Sequence, residues 1–64
     1  MIRVNGEDRP WPGGTVADLV ASLDLSPRGI AVALDGTVVA RSLWSSTRVV
    51  EGAIVEVVTA AAGG

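Results

Sequence analysis

Cysteine, histidine and lysine are all absent from this 64-residue chain. Without cysteine there is no disulfide, thiolate nucleophile or thiolate metal site, and without histidine the commonest metal ligand and general base is missing too. Aspartate and glutamate are the sole candidates for acid–base catalysis, and no two of them stand at the spacing of a catalytic motif. The composition therefore argues against an enzyme and against a metal site.

An excess of positive charge and long hydrophobic runs are lacking as well. The five basic residues are all arginines, and seven carboxylates bring the net charge to -2, which disfavours binding to a phosphate backbone. Charged residues interrupt every apolar stretch well before the ~20 residues that a membrane helix needs. We expect no nucleic-acid partner, no membrane association and a cytoplasmic location.

Aliphatic residues dominate what the chain does contain. Hydrophobic residues make up 48% of it, yet the only aromatics are Trp11 and Trp44. A core of valine, isoleucine, leucine and alanine suits a sheet better than an all-helical bundle. At this length the chain forms one domain that buries only about 60% of its unfolded surface.

The first half of the sequence predicts a hairpin followed by a helix. Asn5-Gly6 readily takes the positive φ angles of a two-residue turn, so short strands are expected on both sides of it. Thr15 is the predicted N-cap of the helix, with Asp18 as its capping-box partner and apolar residues following at helical spacing. Residues 26–29, which include a proline and a glycine, are expected to end this helix.

The second half predicts a further hairpin and an irregular turn. The segments IAVAL and TVVA flank Asp35-Gly36, a turn signal of the same kind as the first. RSLWSST fits neither the helical nor the strand period, so we expect a loop with Leu43 or Trp44 packed inward.

The last predicted strand alternates between two faces. It follows a turn at Glu51-Gly52, and Val55 and Val57 share one face. The other face holds Ile54, Glu56 and Val58. The element order predicts an α+β domain: a mixed sheet of four to five strands, one main helix on one face, and the first and last strands parallel at the centre.

Three features of the sequence occur together: the segment GIAVALDGTVVARSLW, the Glu51-Gly52 turn and the terminal Gly63-Gly64. In these features the chain resembles the ubiquitin-like sulfur carriers, and among them the ThiS family of thiamine biosynthesis. The family often has proline before the arginine and aspartate after the turn glycine, where this chain has Ala40 and Ala53. The resemblance implies a β-grasp domain over residues 1–59 and a flexible C-terminal tail over 60–64.

A function is implied by the same resemblance. The carboxylate of Gly64 would be adenylated and converted to a thiocarboxylate that donates sulfur for thiazole formation. The implied partners are a ubiquitin-activating-type adenylyltransferase, a cysteine desulfurase or other persulfide donor, and thiazole synthase. ATP is used by the activating partner and no cofactor is expected on this chain, which is a protein co-substrate and not an enzyme.

The tail residues suit this chemistry. A carboxylate is ionised at pH 7 and resists nucleophiles until it is activated. Gly63 and Gly64 have no Cβ, and Ala61 and Ala62 are small, so the carboxylate can enter a narrow channel where a partner recognises these residues. For the two glycines taken alone a frayed chain end is the simpler interpretation, but together with the predicted fold pattern they indicate a function.

Part of the binding affinity must come from the folded surface, because a flexible tail loses conformational freedom when it binds. The candidate docking surface is the outward face of the last strand, with Ile54, Glu56 and Val58. The alternatives for the two aliphatic residues are ordinary sheet packing and harmless exposure of single apolar side chains.

Other functions remain open at this point. A small subunit of molybdopterin synthase resembles this chain in fold and glycine end but is usually longer, and another β-grasp sulfur carrier could serve amino-acid biosynthesis. From a different class, a ubiquitin-like interaction module would use its sheet and never activate its tail.

Overall fold

The computed structural model describes residues 1–26 and 28–59. The regular elements follow one another in the predicted order of strand, strand, helix and three strands, with one short helix added between the last two strands. They are β1 (Ile2–Val4), β2 (Glu7–Arg9), α1 (Val16–Ser22), β3 (Ile30–Leu34), β4 (Thr37–Val39), a 3₁₀-helix (Arg41–Leu43) and β5 (Ile54–Thr59).

All five strands belong to one mixed sheet in the order β2-β1-β5-β3-β4. β1 runs parallel to β5, with Val4 opposite Val55, and β3 runs antiparallel to β5 along its full length. The first and last strands are therefore adjacent and parallel at the centre, as predicted from the sequence. Because β1 and β3 both pair with β5, this strand joins the two hairpins into one sheet.

The core lies between α1 and one face of the sheet. α1 buries Val16, Leu19 and Val20, which are three or four residues apart and so share one side of the helix. The inner face of the sheet contributes Ile2, Val4, Val32, Val55 and Val57. No polar side chain is buried in the described part of the chain, so the hydrophobic effect of aliphatic burial is the main stabilising term.

Both tryptophans attach loops to this core. Trp44 is buried, and its indole N–H donates to the carbonyl of Val39 at 3.0 Å, whereas Leu43 remains exposed. The half-buried Trp11 donates to the carbonyl of Val49 at 2.8 Å. The prediction that Leu43 or Trp44 packs inward is thus confirmed for Trp44.

The predicted capping box at the start of α1 is present. The backbone N–H of Asp18 donates to the Thr15 hydroxyl at 3.2 Å, and the Thr15 N–H donates to the Asp18 carboxylate at 2.9 Å. Two further N–H groups of the first turn, those of Val16 and Ala17, donate to carbonyls of residues 47 and 44. The helix start and the loop after the 3₁₀-helix therefore satisfy each other's backbone groups.

The predicted end of the helix at residues 26–29 is wrong, because α1 ends at Ser22. Asp24 follows with φ of 57°, a left-handed conformation that aspartate tolerates better than most residues and that a helix cannot continue through. The Ser22 hydroxyl also donates to the Leu19 carbonyl at 2.7 Å, which satisfies one of the last acceptors. Local turn chemistry thus stops the helix before the proline does.

Replacement of Leu19 by alanine tests the dependence on the core. Leu19 is 1% exposed, so the Leu19→Ala substitution should lower the free energy of unfolding by about 2–5 kcal/mol. Leu43, which is 52% exposed, provides the matched control, and Leu43→Ala should change it by less than about 0.5 kcal/mol. Urea unfolding followed by tryptophan fluorescence measures both, and equal effects would contradict this description of the core.

The capping box should also make stability depend on pH. Hydrogen bonds from the backbone N–H of Thr15, and then from its hydroxyl, lower the pKa of Asp18 below the ordinary 3.8. Since the folded-state pKa is depressed, the stabilisation is present above pH 3.8 and disappears as the pH falls through the folded value. The stability difference between the native chain and Asp18→Ala, measured by thermal unfolding, should therefore shrink with acidification. A difference that stays constant down to the lowest pH would argue against it.

Candidate functional site

The predicted reactive residue, Gly64, lies outside the described residues, and so do Gly63, Ala62 and Ala61. β5 ends at Thr59, which directly precedes the tail in the sequence. The described part of the site is therefore β5 itself, together with the surface beside it and the contacts that hold it.

β5 alternates between core and solvent as the sequence predicts. Val55 and Val57 are buried, whereas Ile54, Glu56 and Val58 are exposed on the face that α1 does not cover. Ile54 and Val58 are 55% and 58% exposed. Ordinary sheet packing therefore does not account for these two aliphatic side chains.

Neighbouring strands extend this surface beyond the residues predicted from the sequence. Ala31 and Ala33 of β3 lie opposite Val58 and Glu56, and Val38 of β4, 71% exposed, lies opposite Ala33. We call the six residues the outer patch: Ala31, Ala33, Val38, Ile54, Glu56 and Val58. The two alanines of IAVAL are two residues apart, and Val38 alternates with its neighbours in the strand after Asp35-Gly36. This alternation could have indicated from the sequence that Ala31, Ala33 and Val38 face outward.

The outer patch has an apolar floor and a polar edge. The small alanine side chains leave a shallow depression of about 140 Å³ between Val38, Glu56 and Val58. Next to Ile54 on the β1 side, Arg3 donates from Nε to the Asp8 carboxylate at 3.1 Å. This exposed ion pair contributes little to stability, but it bounds the apolar surface with charge.

Two turn residues hold β5 through their side chains. Asn5 and Asp35, the first central residues of the two hairpin turns, have φ of 50° and 49°. The Asp35 carboxylate accepts from the N–H of Ile54 at 2.9 Å, near the start of β5. The Asn5 amide accepts from the N–H of Val57 at 2.8 Å and donates to the Val57 carbonyl at 3.0 Å. The sequence predicted both turns, but not that their side chains bind the last strand.

An open groove of about 510 Å³ lies beside the end of β5. Asn5, Arg9, Leu23 and Thr59 are among the residues that line it. It has this position because β1 turns away at Asn5, whereas β5 continues to Thr59.

Other kinds of site find no support in the described residues. Residues 1–26 and 28–59 contain no group of three acidic side chains that could hold a metal ion. No helix in the same ranges is long and apolar enough to span a bilayer.

Comparison with known proteins identifies the family. The model of the ThiS family matches residues 2–64 of the chain. The chain belongs to the ThiS family. Because this match covers all but the first residue of the predicted domain and tail, ThiS membership agrees with the resemblance inferred from the hairpin, the turn and the glycine end. No curated protein matches this chain.

Two solved structures similar to this ThiS-family chain come from Geobacter metallireducens. A crystal structure of its thiamine biosynthesis protein ThiS is 27% identical, covers 98% of this chain and 97% of its own, and has a TM-score of 0.85. A solution NMR structure of a thiamine biosynthesis protein from the same organism is 26% identical. It covers 89% of this chain and 78% of its own, with a TM-score of 0.74. The β-grasp fold predicted from the resemblance is confirmed.

ThiS membership supports a sulfur-carrier role for this chain, in agreement with a small carrier and not an enzyme. The two departures from the family pattern fall at structural positions. Ala40 precedes the 3₁₀-helix, and Ala53, 2% exposed, packs in the core just before β5. Neither belongs to the outer patch.

Proposed function

We propose that this ThiS-family chain carries sulfur as a thiocarboxylate on Gly64 and donates it for thiazole formation in thiamine biosynthesis. The observation that carries the proposal is the family match, which extends through the terminal glycine pair to residue 64. The Geobacter metallireducens relatives are thiamine biosynthesis proteins, which supports the choice of pathway.

Activation has to precede sulfur transfer, because an ionised carboxylate is a poor electrophile. In the proposed reaction a ubiquitin-activating-type adenylyltransferase joins the Gly64 carboxylate to AMP and releases pyrophosphate from ATP. The terminal sulfur of a persulfide, supplied by a cysteine desulfurase or another donor, then attacks the carbonyl carbon and expels AMP. A thiol cleaves the resulting acyl disulfide, which leaves the thiocarboxylate on the carrier and a disulfide on the donor. Thiazole synthase consumes the sulfur.

Residues 60–64 suit delivery of this carboxylate into a partner's active site. Fully extended, five residues span roughly 16 Å, at ~3.3 Å each, so the carboxylate can react while the folded domain stays outside. Gly63 and Gly64 let the partner approach the backbone closely, since no Cβ stands in the way. Ala61 and Ala62 present little more bulk.

The outer patch is the proposed docking surface for the adenylyltransferase. Half of its residues lie on β5, the strand that leads into the tail, with Val58 one residue before the last residue of that strand. Full burial of an exposed valine or isoleucine contributes about 1.5–3 kcal/mol, so Val38, Ile54 and Val58 can supply much of the affinity of a small interface. Glu56, beside the depression, calls for a cationic or hydrogen-bond-donating group in the partner.

An intact-mass experiment tests the proposed chemistry. Incubation with ATP, the activating enzyme, a persulfide donor and a thiol should raise the mass of the chain by the difference between sulfur and oxygen. A chain that lacks Gly64 should not gain this mass, because its terminal carboxylate falls one residue short. An unchanged mass of the full chain would favour a ubiquitin-like interaction module. Transfer of the sulfur to a molybdopterin precursor, and not to the thiazole, would identify a molybdopterin synthase subunit.

A charge placed on the outer patch tests docking. Val58→Asp should raise the KM of the adenylyltransferase for the carrier by about tenfold or more, with kcat close to the native value, because the substitution weakens binding and leaves the reacting group intact. Val50→Asp is the matched control, since Val50 is 63% exposed and lies outside β5. Steady-state adenylation kinetics measure both variants. Equal values of KM for Val58→Asp and Val50→Asp would rule out docking at this surface.

A further inference from the structure

The side-chain amide of Asn5 makes the hydrogen bonds to β5 that a peptide group of a longer β1 would make. The parallel ladder between β1 and β5 runs through the Arg3 and Asn5 N–H groups, which donate to the carbonyls of Ala53 and Val55 at 3.0 and 2.9 Å. The next backbone groups of β5 that face β1 are those of Val57. They meet the Asn5 amide, with Oδ1 as acceptor at 2.8 Å and Nδ2 as donor at 3.0 Å. The side chain thus lengthens the ladder after the main chain has turned away.

This position has strict chemical requirements. The residue needs a donor and an acceptor on one short planar group, since both the N–H and the carbonyl of Val57 have to be satisfied. It also needs to adopt a φ of 50°, a left-handed conformation in which asparagine is enriched. Aspartate lacks the donor, and glycine takes the conformation but has no amide. Turn formation alone would not need this pair of hydrogen bonds.

The bridge lies at the boundary between the fixed and the reactive part of the chain. Val57 is two residues before the end of β5, and residues 60–64 follow directly. On the β3 side the ladder continues to Thr59, which lies opposite Ile30. On the β1 side, Thr59 lines the open groove where β1 has already turned away. The Asn5 amide is therefore the last β1-side contact of β5 in the described ladder before the tail.

We propose that Asn5 is a positioning residue for sulfur transfer: its amide fixes the point and direction from which the tail carries the Gly64 carboxylate into the activating enzyme. The inference rests on the proposed function. Without this contact the β1 side of β5 is released from Val57 onward, and the carboxylate reaches its reactive geometry less often. The outer patch, held by the β3 ladder, keeps its docking surface.

The other hairpin supplies a matched control. Asp35 occupies the same turn position, has nearly the same φ, and also binds the backbone of β5 through its side chain. Its contact is with Ile54, at the opposite end of β5 from the tail. Asp35→Gly and Asn5→Gly both keep a residue suited to positive φ. Asn5→Gly removes two side-chain hydrogen bonds to β5 and Asp35→Gly removes one, and the two variants release opposite ends of the strand.

Two measurements on the full chain test the inference. By hydrogen exchange, the Val57 amide should exchange at least about fivefold faster in Asn5→Gly, while the Val58 amide, which faces β3, changes little. In adenylation kinetics, Asn5→Gly should lower kcat roughly threefold to tenfold, with KM changed by less than about twofold. Asp35→Gly should leave kcat near the native value. A purely structural role of Asn5 would instead make the two glycine variants alike.

The outcomes separate the inference from the proposed function. A native chain that gains no sulfur overturns the function and the inference together. A native chain that gains sulfur, but no faster than Asn5→Gly, overturns the inference alone, as does unchanged exchange at Val57. If Asn5→Gly fails to fold, Asn5→Asp replaces it, because aspartate keeps the turn and the acceptor and removes only the donor. A smaller loss of kcat is then expected, because the hydrogen bond from the Val57 N–H is kept, and native kcat in that variant contradicts the proposal.

Discussion

The pairing of β5 with a strand on each side is the constraint on which the rest of the structure depends. β1 and β3 do not touch each other in the sheet; each pairs with β5, in opposite directions. Every contact between the two hairpins within the sheet therefore passes through this strand. The same strand contributes Val55 and Val57 to the core, Ile54 and Val58 to the outer patch, and its end to the tail. Folding, the proposed docking and the proposed presentation of the carboxylate depend on the same six-residue segment.

This sharing explains why a small chain with a plain aliphatic core can serve as a carrier. The chemistry of the proposed reaction belongs to its partners, so the chain itself needs no histidine, cysteine or metal site. For the proposed reaction it needs a rigid strand that leads into the tail and a docking surface beside that strand. The side chains of Asn5 and Asp35 hold β5 at ladder positions beyond the last residues of β1 and β3. These two strands therefore need no extra residues there.

Much of this fold could be predicted from the sequence because its signals are local and agree with one another. Asn5-Gly6 and Asp35-Gly36 specify turns, Thr15 and Asp18 specify the helix start, and alternation along residues 54–58 specifies the two faces of β5. The helix end was misplaced because Asp24 took a left-handed conformation that composition alone does not require. The contacts of Asn5 and Asp35 with β5 join residues far apart in the chain, so no local pattern could indicate them. The outer patch was found only in part, since Val38 and the β3 alanines join it through strand register.

The central place of β5 also has a consequence for biosynthesis of the protein. Translation makes this strand after all the other elements, so until it emerges from the ribosome the sheet is two separate hairpins with a gap between them. An isolated hairpin is at best marginally stable in water, and a seven-residue helix without its packing surface is no better. The nascent chain therefore cannot form its fold one element at a time, and the sheet assembles only when β5 is available. Once the chain has folded, the strand that directly precedes residues 60–64 therefore lies in the middle of the sheet.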